Sequence, residues 1–535
     1  MKYVIAYDVG TTGVKTCLVS VGEKLRITGD AYGEYDLFVM EDGGAEQDAE
    51  QWWQAMCDTT RELVKRTGIS PDDIDGISFC SQMQGLVLVD REGSALRRPM
   101  SYMDQRAVKE MKECQGHGLQ ISGVNAGMLL RSLAVTHAAS TSVKDPLWKY
   151  KWVQKNEPEI FSRVYKWLDV KEYLICRCTG EFVMTRDSAY ATFLYDPRKG
   201  HECWSGPLCR MYGVDPEHLP RIIECTDVAG NLTDKAASQL GLAAGTKVYG
   251  GGGDATLIGI GAGCTKPGQT HIYSGTSGWV STVAEKQYVD ISAMIAGIVG
   301  AQSGRYNYFA EMETAGKCFQ WVKEHLALDE IGVYLDRTDI SQSGESRYES
   351  LYDYLSDTVA EVPAGSGGVI FTPWLHGNRC PFEAPDAAGM FFNIKIGTGK
   401  KQMIRAVLEG ICYHLRWMLE CEDRKLKTSD TIRFAGGGAL SDVTCQMLAD
   451  ITGRTIETVH NTKDVGSLGA AVLAAVGSGA VPGFDAVDGY IDVKDRFVPD
   501  PRNKEVYDLN YRVFRNLYRS NRDNFRMLNS AVKKG

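Results

Sequence analysis

The chain has 535 residues, 44% hydrophobic and 24% charged, with a formal net charge of −9. That balance excludes a disordered, collagenous or coiled-coil chain. An acidic surface is also a poor partner for nucleic acid or anionic lipid, whose binding needs a basic face. The length predicts at least two domains.

Residues 4–20 predict a β-hairpin. A strand runs into Asp8-Val9-Gly10-Thr11-Thr12-Gly13, and a second strand leaves from Val14 to Ser20. The aromatic run Trp148, Tyr150, Trp152 reads as core packing. Thr246 to Tyr249 predicts a strand ending in Gly250-Gly251-Gly252-Gly253-Asp254. Residues 270–283 repeat the first hairpin: a strand to Tyr273, the turn Ser274-Gly275-Thr276-Ser277-Gly278, and a return strand from Trp279 to Val283. Ser341 to Pro363 is polar and acidic, as in a surface insertion. Ile404, Val407, Leu408, Ile411, Leu415 and Met418 predict an amphipathic helix. Thr431 to Ala435 is a strand ending in Gly436-Gly437-Gly438. Ser441 predicts a helix N-cap, with Gly453 as the stop. Gly466 to Val476, rich in alanine, predicts a buried helix and is too short to span a bilayer.

The order is therefore Gly-Thr turn, Gly cluster, Gly-Thr turn, Gly cluster. It predicts two similar α/β domains with mixed sheets, 1–255 and 256–535, joined near 255–270 around one nucleotide site. The 15 cysteines are scattered without Cys-x-x-Cys pairs, and no signal peptide precedes the first strand. This predicts reduced thiols and a cytoplasmic protein.

A glycine-rich turn brings backbone N–H groups close to phosphate, and Thr or Ser hydroxyls add donors. Gly10, Thr11, Thr12, Gly13 and the following Lys15 form one candidate phosphate site; Gly275, Thr276 and Ser277 form the other. Each turn alone is equally well explained as a tight hairpin; two copies in matching contexts favour one shared ligand. Asp8, at a strand end, is a candidate Mg²⁺ ligand. Asp254 after four glycines fits a general base for a hydroxyl, and equally a helix N-cap. Gly436, Gly437 and Gly438 suit either an adenosine lying on backbone or close strand–helix packing.

Other chemistries fail on spacing. The sixth place from Gly436 is Ser441, so the dinucleotide fingerprint is not met, and no Gly-Lys-(Ser/Thr) loop occurs. Ser277 lacks the final glycine of a nucleophile elbow. His201, Cys203 and Cys209 are a weak zinc pattern.

In family order, these motifs resemble the FGGY carbohydrate kinases over nearly the whole chain. The matching segments are Tyr7 to Gly13, Pro146 to Asn156, Gly251 to Asp254, Ser274 to Gly278, Arg405 to Gly410 and Ala435 to Ala439. The resemblance implies two actin-like, ribonuclease-H-type domains closing over ATP-Mg²⁺ and a sugar, with the active site in the interdomain cleft. It implies Asp254 as catalytic base, Asp8 and Asp254 near the metal, and the Gly-Thr turns on phosphates. It also implies a sugar site at Gln82, Met83, Gln84, Asp104 and Arg106. Ser81 to Leu88 and Tyr102 to Ala107 look most like the xylulokinase group, which points to D-xylulose. Gln84 stands for a usual His, Tyr102 for a usual Trp and Ala255 for a frequent Asn. All three lie on or beside the sugar site, so another ketose, a polyol or a sugar acid stays open. Ala388 stands for a frequent Arg. A non-kinase actin-like ATPase and a sugar sensor without catalysis are the rival classes. Oligomeric state is not legible, a homodimer being one option.

Overall fold

The computed structural model describes residues 2–121, 123–326 and 351–532. Two mixed sheets organise the chain. In the first, the strand order is Val228–Asn231, Lys247–Tyr249, Ile74–Ser81, Tyr3–Val9, Gly13–Val21, Leu25–Glu34, with Gly252–Gly253 also pairing on Ile74–Ser81. In the second it is Val289–Asp290, Ile295–Val299, Tyr306–Met312, Gly278–Ala284, Thr270–Ser274, Thr431–Ala435, Thr455–Val459, Val493–Phe497.

Six strands match between the sheets in order and in sense. Three antiparallel strands built on the Gly-Thr hairpin are followed by two parallel strands and one antiparallel strand. This is the predicted repeat, and the architecture is the actin-like one. It corrects one sequence pairing. Thr431–Ala435, which leads into Gly436, is parallel to the hairpin strand Thr270–Ser274, as Ile74–Ser81 is to Tyr3–Val9. The topological counterpart of the Gly436 cluster is therefore the segment after Ser81, which begins with Gln82. The strand before the Gly250 cluster corresponds instead to Thr455–Val459.

Hydrophobic residues on both faces explain the central strands: Val4, Ile5, Ala6 and Tyr7 are all fully buried between helix layers. The helix Val465–Gly477 is buried from Val465 to Ala475. Its small residues allow backbone-level approach to the helix Asp254–Gly261: a Cβ on Gly469 would collide with Leu257 O, and one on Gly261 with Val465 O. These two helices cross between the sheets, and Val465–Gly477 also packs on Tyr3–Val9 and Ile74–Ser81. A second seam joins Tyr190 to Gln287, whose Nε2 donates to the Tyr190 hydroxyl at 2.6 Å.

The other predicted elements are present. The 404–418 pattern lies within the helix Lys400–Glu422. Ser441 caps Asp442–Thr452 by accepting from Thr444 N, and Gly453 closes it in the left-handed conformation. Trp148 and Tyr150 are buried. Of the polar segment 341–363, residues 341–350 lie outside the described residues, and Leu351–Ala360 is a helix. Among the described residues no helix is long and apolar enough to cross a membrane.

Candidate active site

The residues just before the two Gly-Thr turns, Asp8 and Tyr273, lie near each other and near Asp254. Asp8 ends the first strand of the first hairpin, and Tyr273 occupies the matching place in the second. Burial pushes the Tyr273 phenol well up, and the charges of Asp8 and Asp254 add to the effect, so all three groups share one neighbourhood. Tyr273 is fixed by stacking on Trp279, with ring centroids 4.2 Å apart.

The first turn is held from behind. The Tyr35 hydroxyl donates to Gly10 O at 2.6 Å, Gln82 Nε2 donates to Gly10 O at 3.0 Å, and Gly10 N donates to Gly13 O at 2.9 Å. Thr11 Oγ1 lies 3.3 Å from the Tyr102 hydroxyl. Thr12 is exposed at the tip. Lys15 is not free: its Nζ pairs with Asp464 Oδ1 at 2.5 Å and donates to Lys463 O at 3.1 Å, tying the hairpin to the start of the helix Val465–Gly477. Gly466 sits against Asp8, where a Cβ would meet the carboxylate and Cys80 Sγ. Burial raises the Asp8 carboxyl above the usual range, opposed by Lys15 and the Cys80 thiol.

The second turn is anchored through its carbonyls. Gly316 N donates to Gly275 O at 2.8 Å and Ala315 N to Thr276 O at 3.1 Å. Gly275 N turns inward to Ser277 O at 3.0 Å. Gly436 has φ of 89°, and a Cβ there would strike Ser274 O; one on Gly438 would press on the Ser274 side chain. The Gly436-Gly437-Gly438 cluster thus lies directly on Ser274 at the start of the second turn.

Asp254 opens the helix Asp254–Gly261 as its first residue; the N-cap is Gly253, so the capping alternative is not what the carboxylate does. Its Oδ1 accepts from Ala255 N at 2.7 Å. The group is half-buried. Burial pushes its carboxyl up to about 7; the Ala255 amide opposes this, and Asp8, Glu311 and Asp169 add like charge.

A buried carboxylate that sequence reasoning missed sets the backbone at this point. Asp187 Oδ2 accepts from Gly253 N and from Thr256 Oγ1, each at 2.8 Å, and Oδ1 accepts from Thr185 Oγ1 at 2.6 Å. Burial opposes its charge, yet the Lys171 ammonium and these donors keep the carboxyl below its ordinary value. Lys171, itself fully buried, pairs with Glu172 and donates to Thr185 and Ser188 hydroxyls at 2.6 and 2.7 Å. Glu311, also missed, lies opposite Trp279 in the second sheet and is paired with Arg379 at 2.7 Å.

The expected sugar residues divide into two groups. Met83 packs on Gly253, where a Cβ would collide with its sulfur. Gln84 adopts φ of 64°, an uncommon state for a side-chain residue. Asp169 stabilises it by accepting from Gln84 N at 2.8 Å and Gly85 N at 2.9 Å, while Lys149 Nζ donates to Gln84 O at 2.7 Å. Burial brings Lys149 down to about 8. Gln82 is buried with its Oε1 unpartnered among the described residues. Asp104 and Arg106 differ from expectation. Asp104 has no exposed surface; it accepts from Ala45 N at 2.9 Å and pairs with Arg106 at 2.7 Å. Arg106 also pairs with Glu46 at 2.5 Å and stacks on Trp152 at 4.4 Å. This is a built ion-pair cluster.

The described residues hold no group of three or more His, Cys, Asp and Glu side chains placed for a metal, so His201, Cys203 and Cys209 form no zinc site.

The family model for the N-terminal domain of FGGY carbohydrate kinases matches residues 3–261, and that for the C-terminal domain matches residues 271–478. The chain belongs to the FGGY family of carbohydrate kinases. Within that family, it is 28% identical over 536 residues to a xylulose kinase of Bacillus subtilis, covering 100% of this chain and 99% of the relative. It is also 28% identical over 527 residues to a gluconokinase of the same organism, covering 97% and 96%. The fold superposes on a xylulose kinase from Lactobacillus acidophilus with a TM-score of 0.84, at 24% identity and 99% and 100% coverage.

Proposed function

We propose that the chain transfers the γ-phosphoryl group of ATP to a sugar hydroxyl, with D-xylulose as substrate, D-xylulose 5-phosphate as product and Asp254 as general base. The observation that carries this is the Asp254 carboxyl. It is half-buried near Asp8 and Tyr273, which precede the two Gly-Thr turns, and burial with like charge pushes it up to about 7. A carboxyl raised above its ordinary value accepts a proton more readily than a free carboxylate, as a general base must in the transition state.

In the proposed reaction the sugar oxygen forms a bond to phosphorus as the bond to the β-phosphate oxygen breaks. The hydroxyl proton passes to Asp254, and ADP leaves. With the Gly10 and Gly275 N–H groups closing the turns, the remaining N–H groups and the hydroxyls of Gly10 to Gly13 and of Gly275 to Ser277 hold the phosphates, and Gly436 to Gly438 carry the adenosine. Lys15, engaged with Asp464, positions the first turn. Gln82, Met83 and Gln84 border the sugar. Asp104 and Arg106 support them from below.

Asp8 and Asp254 fit Mg²⁺, which takes one or two carboxylates and leaves its other positions to water and phosphate oxygens. Bound there, the ion would neutralise charge developing on the phosphates. The division into domains 1–255 and 256–535 falls inside the helix Asp254–Gly261, so closure would carry this helix against Val465–Gly477 and exclude water. All 15 cysteines are free thiols, which supports a cytoplasmic setting.

The xylulokinase-like segments around Gln82 and Asp104 support the ketose. The equal identity to a gluconokinase supports a sugar acid as the second candidate. A coupled ADP-release screen across ketoses, polyols and sugar acids tests both. Sugar-independent ADP release would instead indicate a plain ATPase.

A further inference from the structure

A pocket of about 550 Å³ lies on the second half of the molecule, between the C-terminal helix Lys504–Val532 and the helix Lys400–Glu422. Arg512, Arg515, Arg519 and Arg522 line it, over a floor that includes Trp417 and Phe382. The spacing places the four guanidinium groups in one stripe about 80° wide and about 15 Å long on the helix. The opposite stripe, with Tyr507, Tyr511, Phe514 and Leu517, is buried and fixes the helix in place.

In a chain of net charge −9, this concentration of positive charge is only partly compensated from within. Among the described residues, Arg512 and Arg519 have no acidic partner. Arg515 reaches Glu420 only at 3.4 Å, and Arg522 reaches its neighbour Asp523 at 3.5 Å. Among the described residues no carboxylate lines the pocket. The floor is rigid and aromatic: Phe382 is stacked on Tyr518 with centroids 3.6 Å apart, and Arg515 lies 5.2 Å over the Trp417 ring.

Uncompensated planar guanidinium groups recognise phosphate by paired hydrogen bonds. An aromatic floor recognises a flat ring by stacking. We propose that this pocket is a second ligand site, separate from the catalytic cleft, for a nucleotide-sized organic polyphosphate. Its ring lies on Trp417 and its phosphates reach Arg512 and Arg519. The volume suits a ligand of that size.

The test is the number of sites for a non-hydrolysable ATP analogue, measured by calorimetry on the full chain and on the R512A/R519A double variant. Neither arginine has an acidic partner among the described residues, so the variant should keep its melting temperature and its rate of sugar phosphorylation. The native chain is expected to show two sites, and the variant one site plus a residual affinity at least about tenfold weaker. Inorganic tripolyphosphate should bind the second site about tenfold more weakly than the analogue, because it has no ring to stack. A single site in both proteins overturns the proposal, as does equal affinity for tripolyphosphate. So does a variant that changes only the sedimentation of the chain, which would assign the arginines to contact with a second copy.

Discussion

The amide of Gly253 donates to Asp187 Oδ2 at 2.8 Å, one residue before Asp254. The same Oδ2 accepts from the Thr256 hydroxyl, in the first turn of the same helix, so one carboxylate oxygen holds the chain on both sides of the proposed base. Replacing Asp187 with Ala leaves Lys171 with Glu172 alone, removes the anchor of Gly253 and should destabilise the fold by about 3–5 kcal/mol. The milder D187N keeps one acceptor. It should lower kcat while leaving the KM for ATP nearly unchanged, because the phosphate turns do not touch Asp187. An unchanged kcat in folded D187N would deny it a positioning role.

Asp254 itself gives a prediction with opposite signs for activity and stability. D254N should lose about two to four orders of magnitude in turnover, the usual worth of a general base. It should also melt higher. The folded carboxyl titrates near 7 against an ordinary value of 3.8, so the native chain binds this proton more tightly folded than unfolded. That contribution is fully present below about pH 4 and is lost as pH rises through 7. The stability gain of D254N should therefore be near zero at pH 4 and reach at most about 4 kcal/mol above pH 7. Melting curves across this range check it; a gain that shrinks with rising pH would reverse the sign.

Glu311 is one of the charges that hold Asp254 up. In E311Q that like charge is gone and Arg379 loses its partner, and both changes ease the ionisation of Asp254. The acid limb of the kcat/KM profile should move to lower pH by about half a unit or more. A limb that stays in place would show that another group controls it.

Gly436 presses on the second turn with φ of 89°. A methyl group there both strains the backbone and strikes Ser274 O. G436A should raise the KM for ATP by about tenfold or more, with a smaller change for the sugar. Equal effects on both would argue against an adenosine role for this strip.

Gln84 has its backbone held by Asp169 and Lys149, while its side chain makes no hydrogen bond to the described residues. Q84H should redistribute activity across a sugar panel more than it changes affinity for ATP. An unaltered preference would remove Gln84 from the sugar site.

Much of the frame was legible from local pattern. Both hairpins, the Ser441 cap with its Gly453 stop, and the buried alanine-rich helix are local features, and each follows from turn chemistry or periodicity within a few residues. What was not legible depends on distance in sequence. Asp187 meets Gly253 across 66 residues, and Thr185-Arg186-Asp187-Ser188 carries no motif that announces the contact. Glu311 looks like one polar residue in an alternating strand until the fold sets it near Asp254. Asp104 and Arg106 are charged types that suit a sugar, and only the fold shows them consumed by Glu46, Ala45 and Trp152. The pairing of the two Gly clusters misled because both follow strands; sheet order, which sequence does not display, separates them.

The most direct test of the account is to follow phosphorylated sugar and ADP together, from purified chain with ATP, Mg²⁺ and D-xylulose, for the native protein and D254N. The expected result is one sugar phosphate per ADP in the native protein, with both nearly abolished in D254N. ADP without phosphorylated sugar, or undiminished product from D254N, would contradict it.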